Sequence, residues 1–477
     1  ENLRFGPSYR AREPKTYLDF STEGGFARAV EMCNGAGVCR KLKAGTMCPS
    51  FMATRDEKDS TRGRANALRD ALARGTLDRP DLASKEVYDV LDLCLSCKAC
   101  KTECPSSVDM AKLKTEFLAH YQAEHGTSPR SRVFGHIHDF SRVASPFAPF
   151  VNLGMRLGLD APVKKALGVA PQRSLSPFAS RTFSHRWRAH QRRHASKRRQ
   201  TRGKAVYFHD TFAEYNYPRI GIAAVTLLEA AGFEVVVEER RACCGRPMLS
   251  KGLVEEARKL ARRNVELLAP YAHQGIPIVG TEPSCILTLR DEYRDLLPDE
   301  ADVTAIACEA YMIDEFLAKL DKAGDLGIAW KDGTGPDVLF HGHCHQKALI
   351  GMGPSMAMLA NAGCSAKESG AGCCGMAGSF GYETEHYEVS RKIGEERLFP
   401  AVAAVSDETI VSVAGVSCRQ QIEHFTERKT KHIAEVLAAR IAPGHTWVER
   451  APEPVPVEVV PTPESVAHAR NTGAGPA

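Results

Sequence analysis

The chain has 477 residues, is 43% hydrophobic and 25% charged, and carries a net charge of +5, an ordinary globular composition with room for two or three domains. It has no apolar run of about 18 residues, which excludes a spanning helix. Its 16 cysteines are grouped in short motifs with no secretory signal ahead of them, which argues against a disulfide scaffold and for metal ligation in a reducing cytoplasm.

The chain opens on Glu1 rather than Met, with no targeting signature, so a fragment or the C-terminal part of something longer is expected. Residues 1–30 read as an extended lead-in and residues 31–126 as an α-helical domain with its cysteines in loops. Ser60-Thr61 opens a helix through Ala65, Leu68 and Leu72. A second helix, Lys85 to Leu93, leads into a cysteine cluster, and a third, Lys112 to Ala123, leaves it. Residues 127–204 form a connector with two or three short helices. Its end is a basic run: Arg181 to Lys204 holds ten Lys or Arg and no acid. A solvated linker is expected there; the functional reading is docking to an acidic partner, a phospholipid surface or nucleic acid.

From residue 205 the chain repeats itself. Unit one, 205–330, has a strand Ala205–His209, a helix Arg219–Ala231 and a strand Phe233–Val237. Cys243-Cys244-Gly245 follows, then a helix Val254–Leu268 and a strand Ile276–Gly280 running on to Cys285. Unit two, 336–443, has a strand Asp337–His341, a helix Ser355–Ala362 and a short strand near Ala366. Cys373-Cys374-Gly375 follows, then a helix Glu385–Leu398 and a strand Thr409–Val413 running on to Cys418. Strand–helix alternation predicts α/β units with mostly parallel sheets. Residues 444–477 lack periodicity and are expected to be disordered.

Cys94-x2-Cys97-x2-Cys100-x3-Cys104-Pro105 is the most specific motif. Two-residue gaps let one loop wrap three corners of a four-iron cube, while the fourth cysteine is carried to the other cluster of a pair. Zinc knuckles instead set C-x2-C pairs well apart. The earlier motif, Cys33-x5-Cys39-x8-Cys48-Pro49, has Ala36 where a middle cysteine would stand. Crossing the ligands gives Cys48, Cys94, Cys97 and Cys100 for one 4Fe–4S cluster. Cys33, Cys39 and Cys104 are left for a 3Fe–4S cluster or a 4Fe–4S cluster with one labile iron. Gly35 and Gly37 let the backbone bend toward inorganic sulfide, and Asn34 is a candidate weak oxygen ligand. This region, with Met47-Cys48-Pro49-Ser50 and Ser60-Thr61-Arg62-Gly63-Arg64, resembles the helical domain of the iron–sulfur subunits of succinate dehydrogenase, glycolate oxidase and anaerobic glycerol-3-phosphate dehydrogenase. In the first of these a similar gap goes with a three-iron cluster.

Vicinal thiolates can ligate neighbouring metals, and a following glycine lets the backbone approach. Unit two offers Cys344, Cys373, Cys374 and Cys418, with His343 and His345 as extra ligands or as strand-end histidines bonded to backbone. Unit one offers Cys243, Cys244 and Cys285; aligning Phe208-His209 on Phe340-His341 puts Phe212 opposite Cys344. Asp210 and Glu282 are candidate fourth ligands there. Cys308 and Cys364 are expected to be packed thiols. The two units resemble the cysteine-rich CCG domain of the heterodisulfide reductase B subunit, whose motif ends in C-x2-C. Here the earlier cysteine of that pair is Glu282 in unit one and Gly415 in unit two. Zinc, a conventional cluster with a non-cysteine ligand, or a thiol pair are all open.

Over about residues 5–440 the chain resembles the C-terminal half of bacterial fusions that join an FAD-linked oxidase domain to an iron–sulfur and CCG region, of the D-lactate and D-2-hydroxyglutarate dehydrogenase kind. The phrases are Glu31–Arg40, Leu93–Pro105, Glu282-Pro283-Ser284-Cys285, His341–Lys347 and Cys373–Tyr382. The fold this implies is an α-helical ferredoxin-like dicluster domain followed by two repeated α/β CCG units. The function implied is an oxidoreductase component. It takes electrons from a flavin that has oxidised a D-2-hydroxy acid and passes them through iron–sulfur clusters to a quinone, a cytochrome or another acceptor. No Gly-rich dinucleotide fingerprint is present, so FAD is expected only on a missing domain or partner, and no catalytic residue is assigned. Alternatives are disulfide reduction at the CCG units and a zinc-stapled binding protein. The expected location is cytoplasmic, or peripheral on the inner membrane; nucleic acid is not favoured as a partner.

Overall fold

In the computed structural model of the protein, residues 9–76, 79–194 and 201–443 are described. The expected disordered tail lies outside them, as do residues 1–8 of the lead-in and 195–200 of the basic run.

Local capping chemistry starts the N-terminal helices. Ser60 accepts from the Gly63 N–H at 3.0 Å and begins the helix Thr61–Ala73, whose Ala65, Leu68 and Leu72 form its fully buried stripe. Ser84 caps Lys85–Asp92 and Asp109 caps Met110–His125. The lead-in is extended only to Phe20. A 3-10 turn, Ser21–Glu23, and a helix, Phe26–Glu31, follow it, because the Glu13 carboxylate receives the Phe26 and Ala27 N–H groups.

Among its described residues the connector holds five helices, where two or three were expected: Pro129–Gly135, Ile137–Ala144, Ala148–Arg156, Ala161–Ala166 and Phe183–His194. Pro129, Pro149 and Pro162 sit in first turns, where a missing N–H costs nothing, so they start helices and do not break them.

A short antiparallel pair, β1 (Gly75–Thr76) and β2 (Arg79–Pro80), lies in the helical domain. Two parallel four-stranded sheets follow. The first contains β3 (Gly203–Phe208), β4 (Phe233–Val236), β5 (Ile278–Gly280) and β6 (Ala310–Met312), ordered β4-β3-β5-β6. The second contains β7 (Asp337–His341), β8 (Ser365–Glu368), β9 (Ile410–Val413) and β10 (Thr430–His432), ordered β8-β7-β9-β10. The order is the same in both, and so is the register: Phe208 pairs with Gly280 and Gly280 with Met312, as His341 pairs with Val413 and Val413 with His432. The three-residue strands β6 and β10 were not expected; so short a run carries no period to read. One apolar cluster runs through the helical domain and both sheets, and a second, with Leu339, Val411 and Val413, covers the other face of the second sheet.

Candidate metal centres

In both sheets the cysteines gather where strands end and helices begin, the edge at which parallel sheets present ligands. After β3, Asp210 caps Thr211–Tyr215; after β7, His343 caps Cys344–Leu349. After β5, Glu282 caps Pro283–Arg290; after β9, Gly415 precedes Val416–Phe425. Cys285 and Cys418 therefore stand at the same third helical position. The shared register also corrects the alignment of the units. Phe208 matches His341, so Asp210 matches His343, and Thr211, not Phe212, stands where unit two has Cys344.

The four cysteines of unit two are buried. The Gly375 and Met376 N–H groups lie 3.4 and 3.5 Å from the Cys373 and Cys374 sulfurs. The His343 Nδ1 is 4.0 Å from Cys344 Sγ and also receives the His345 N–H. Hydrogen bonding from Cys373 holds Cys344 well below the ordinary thiol value despite burial, and His343 adds to it. Cys374 is lowered by Cys373, Cys418 and His341. Burial works against a charged His343, yet the Cys344 thiolate raises it to about 9. His341, which sequence reasoning passed over, bonds Ser369 through Nδ1 (2.9 Å) and faces Cys374. Lys347 holds the loop ahead of Cys373 through the Ala371 and Gly372 carbonyls. His345 points elsewhere: its Nε2 donates to the Ser96 carbonyl at 3.0 Å.

Cys373 and Cys418 are raised well above the ordinary value, and in unit one all three thiols are raised. Hydrogen bonding from Cys244 and burial raise Cys243 well above the ordinary thiol value, and Cys244 is raised as well. Although Cys244 bonds to it, burial and the Asp210 and Glu282 carboxylates push Cys285 up to about 11. Both acids also cap backbone. Asp210 Oδ1 receives the Phe212 and Ala213 N–H groups, while Glu282 receives Ser284 and, across the unit boundary, the Val416 N–H at 2.8 Å. Gly415 is hemmed in by that carboxylate: a Cβ there would meet His343 at 2.9 Å and Glu282 at 3.1 Å.

In the helical domain the Ser60–Arg64 phrase has a physical reason. Gly63 passes so close to the Glu57 carbonyl that any Cβ would collide. Arg64, wholly buried, then reaches Cys48 Sγ at 3.3 Å and Ser50 Oγ at 2.9 Å. Burial raises Cys97 and Cys100, and neighbouring thiolates add to it: Cys344, Cys100 and Cys48 for Cys97, and Cys94 and Cys48, after Asp109, for Cys100. Burial, then Cys48 and Cys33, raise Cys39. Cys48 thus interacts with cysteines of both expected sets, Cys97 and Cys100 on one side and Cys39 on the other, and Cys104 is partly exposed. Asn34 Oδ1 is committed to the Ala36 N–H at 3.0 Å, and Gly35 and Gly37 are left-handed at φ +79° and +75°.

The loop Cys94–Cys100 is wedged between the units. The Ser96 carbonyl receives His345 of unit two and Arg246 of unit one, and Lys98, 2% exposed, pairs with Asp291 and Glu292.

So many buried thiols with few counter-charges fit cationic metal centres. Among the described residues, the ligand atoms closing to within 4.8 Å of one another are those of Glu383, Glu385 and His386, not a cysteine set. That trio is already engaged by Lys251, Arg130 and Asp92. Cys364 is buried as expected, but Cys308 is exposed, because Val303, Ile306 and Ala307 form the inner face of its helix, Ala301–Glu309.

Comparison with known proteins matches residues 29–108 to the 4Fe-4S dicluster domain and residues 206–290 to the Cysteine-rich domain. The chain is 30% identical over 345 residues to the C subunit of anaerobic glycerol-3-phosphate dehydrogenase of Escherichia coli, covering 71% of this chain and 83% of that one. It is 24% identical over 454 residues to D-2-hydroxyglutarate dehydrogenase of Escherichia coli, covering 86% of this chain but only 43% of that one. It is 25% identical over 425 residues to the probable glycolate oxidase iron-sulfur subunit of Bacillus subtilis, covering 83% and 91%.

Proposed function

The chain belongs to the family of the anaerobic glycerol-3-phosphate dehydrogenase C subunit, and from that premise we propose that it relays electrons from a flavoprotein that oxidises a D-2-hydroxy acid. At the coarser level it is an iron–sulfur electron-transfer component of the dehydrogenase and oxidase kind. The finer reading assigns D-lactate or D-2-hydroxyglutarate as donor substrate, an FAD-linked oxidase domain or subunit as partner, and a quinone or cytochrome as acceptor. Clusters, when bound, accept and release single electrons, which suits a flavin donor.

In this reading Cys48, Cys94, Cys97 and Cys100 hold a 4Fe–4S cluster. Cys33, Cys39 and Cys104 hold a 3Fe–4S cluster or a 4Fe–4S cluster with one labile iron. The second sheet is a second CCG unit, in which Cys344, Cys373, Cys374 and Cys418 hold a further metal centre. The observation that carries the relay is the wedged loop: Ser96 touches His345, and Cys97 feels the charge of Cys344. The helical domain and unit two thus meet at their candidate ligands. The test is anaerobic purification with iron and acid-labile sulfide analysis, then mixing with an FAD-linked oxidase partner and D-lactate or D-2-hydroxyglutarate. Bleaching of the cluster absorbance only when both are present is expected. Zinc as the only metal, or oxidation of the hydroxy acid by this chain alone, would overturn the reading.

A further inference from the structure

The segment 137–157 is an amphipathic helix packed the wrong way round. Helix Ile137–Ala144, the turn Ser145–Phe147 and helix Ala148–Arg156 follow one another almost without a break. Their inward positions are small or polar: Ser141, Ser145 and Ala148 are buried, and Asn152 exchanges two hydrogen bonds with the Phe178 backbone at 2.8 and 2.9 Å. Their outward positions carry the bulk. Phe140, Val143, Phe147, Phe150, Leu153 and Leu157 recur every three or four residues and are 50–77% exposed. Among the described residues, nine of the eleven exposed large apolar side chains lie between 140 and 175. An apolar stripe so concentrated marks a surface meant to be covered.

The charges around it say by what. Between residues 140 and 172 there are four cations, Arg142, Arg156, Lys164 and Lys165, and one acid, Asp160. Asp160 is spent on Lys164 at 2.7 Å, and the neighbouring Asp139 on His136 and Arg142. Phe and Leu on one face with exposed Arg and Lys beside them suit the headgroup boundary of an anionic bilayer, where rings enter the acyl edge and cations meet lipid phosphates. We propose that residues 137–165 seat the protein on an anionic phospholipid surface as an interfacial element that does not span it. The proposal stands apart from the identity of the metal centres.

The test is co-flotation of the full chain with vesicles of phosphatidylcholine alone or mixed with phosphatidylglycerol. Binding should favour the mixed vesicles and weaken with salt. The double variant Phe150→Asp with Leu153→Asp should lower partitioning by about tenfold or more, with iron and sulfide content unchanged. Arg156→Glu with Lys165→Glu should remove the preference for phosphatidylglycerol while leaving the fold intact. Failure of the native chain to float with mixed vesicles, or equal flotation of the Asp double variant, would overturn the proposal. So would self-association lost in that variant with no vesicle binding, since the stripe would then belong to a second copy.

Discussion

The two sheets share strand order and register yet set up different environments for their cysteines. In unit two the strand ends supply His341 and His343, and Cys344 and Cys374 lie well below the ordinary thiol value while Cys373 and Cys418 lie well above it. In unit one the matching cap is Asp210, the position of Cys344 is Thr211, and an added carboxylate, Glu282, faces Cys285. A fold can therefore be duplicated while its site is not: backbone register is set by core packing, whereas charge at the strand ends is set by two or three buried polar side chains.

The largest expected effect comes from breaking what both units lean on. Cys97→Ala removes a corner of the wedged loop, and metal binding of this kind is coupled to folding. Iron content should fall by about half and the helical domain should lose on the order of several kcal/mol, read by metal analysis and thermal melts. A variant that keeps its iron would mean the loop is not a ligand loop. Next, Thr211→Cys should make unit one more like unit two, because a fourth thiolate completes a shell; resistance of its metal to a chelator should rise about tenfold. Phe212→Cys should do nothing, and the reverse result would put the register correction in error.

Ala36→Cys addresses the helical domain, where the same question of a missing thiolate arises. The oxidised native protein should give a three-iron electron paramagnetic resonance signal that the variant loses as a fourth iron is retained. No signal in the native protein and no change in the variant would mean that a fourth ligand already exists.

The smallest effect is on pH dependence. His138 reaches Thr211 Oγ1 at 3.1 Å, and burial together with the Arg241 charge lowers it to about 4. The folded state keeps this imidazole neutral where an unfolded histidine, near 6.5, takes a proton. Stability should thus fall as pH drops from about 6.5 to about 4 and stay level above. His138→Gln should remove about 2 kcal/mol of that acid loss, seen as melting temperatures that converge above neutrality and part below it.

Much of this was legible because cysteine spacing and strand–helix alternation are local. Cys94, Cys97, Cys100 and the paired cysteines of both units sit in loops that chain distance alone describes. The alignment of the units failed by one residue because it was anchored on a repeated Phe-His dipeptide, while pairing to β5 and β9 sets the true register. Arg64, His341 and Glu282 stand in phrases the sequence shows, but what they touch depends on contacts between distant segments, which the phrases do not disclose. The Phe140–Leu157 stripe has the period of a core helix, and sequence cannot say which face is turned inward. Cys308 fails for the same reason.

The most direct test is iron analysis with electron paramagnetic resonance on the anaerobically purified full chain, compared with Cys373→Ser and Cys243→Ser. The account predicts an iron centre beyond those of the helical domain that vanishes in Cys373→Ser, with electron flow to an added acceptor falling on the order of a hundredfold, and that survives in Cys243→Ser. Zinc in unit two, or equal loss of iron from the two variants, would contradict it.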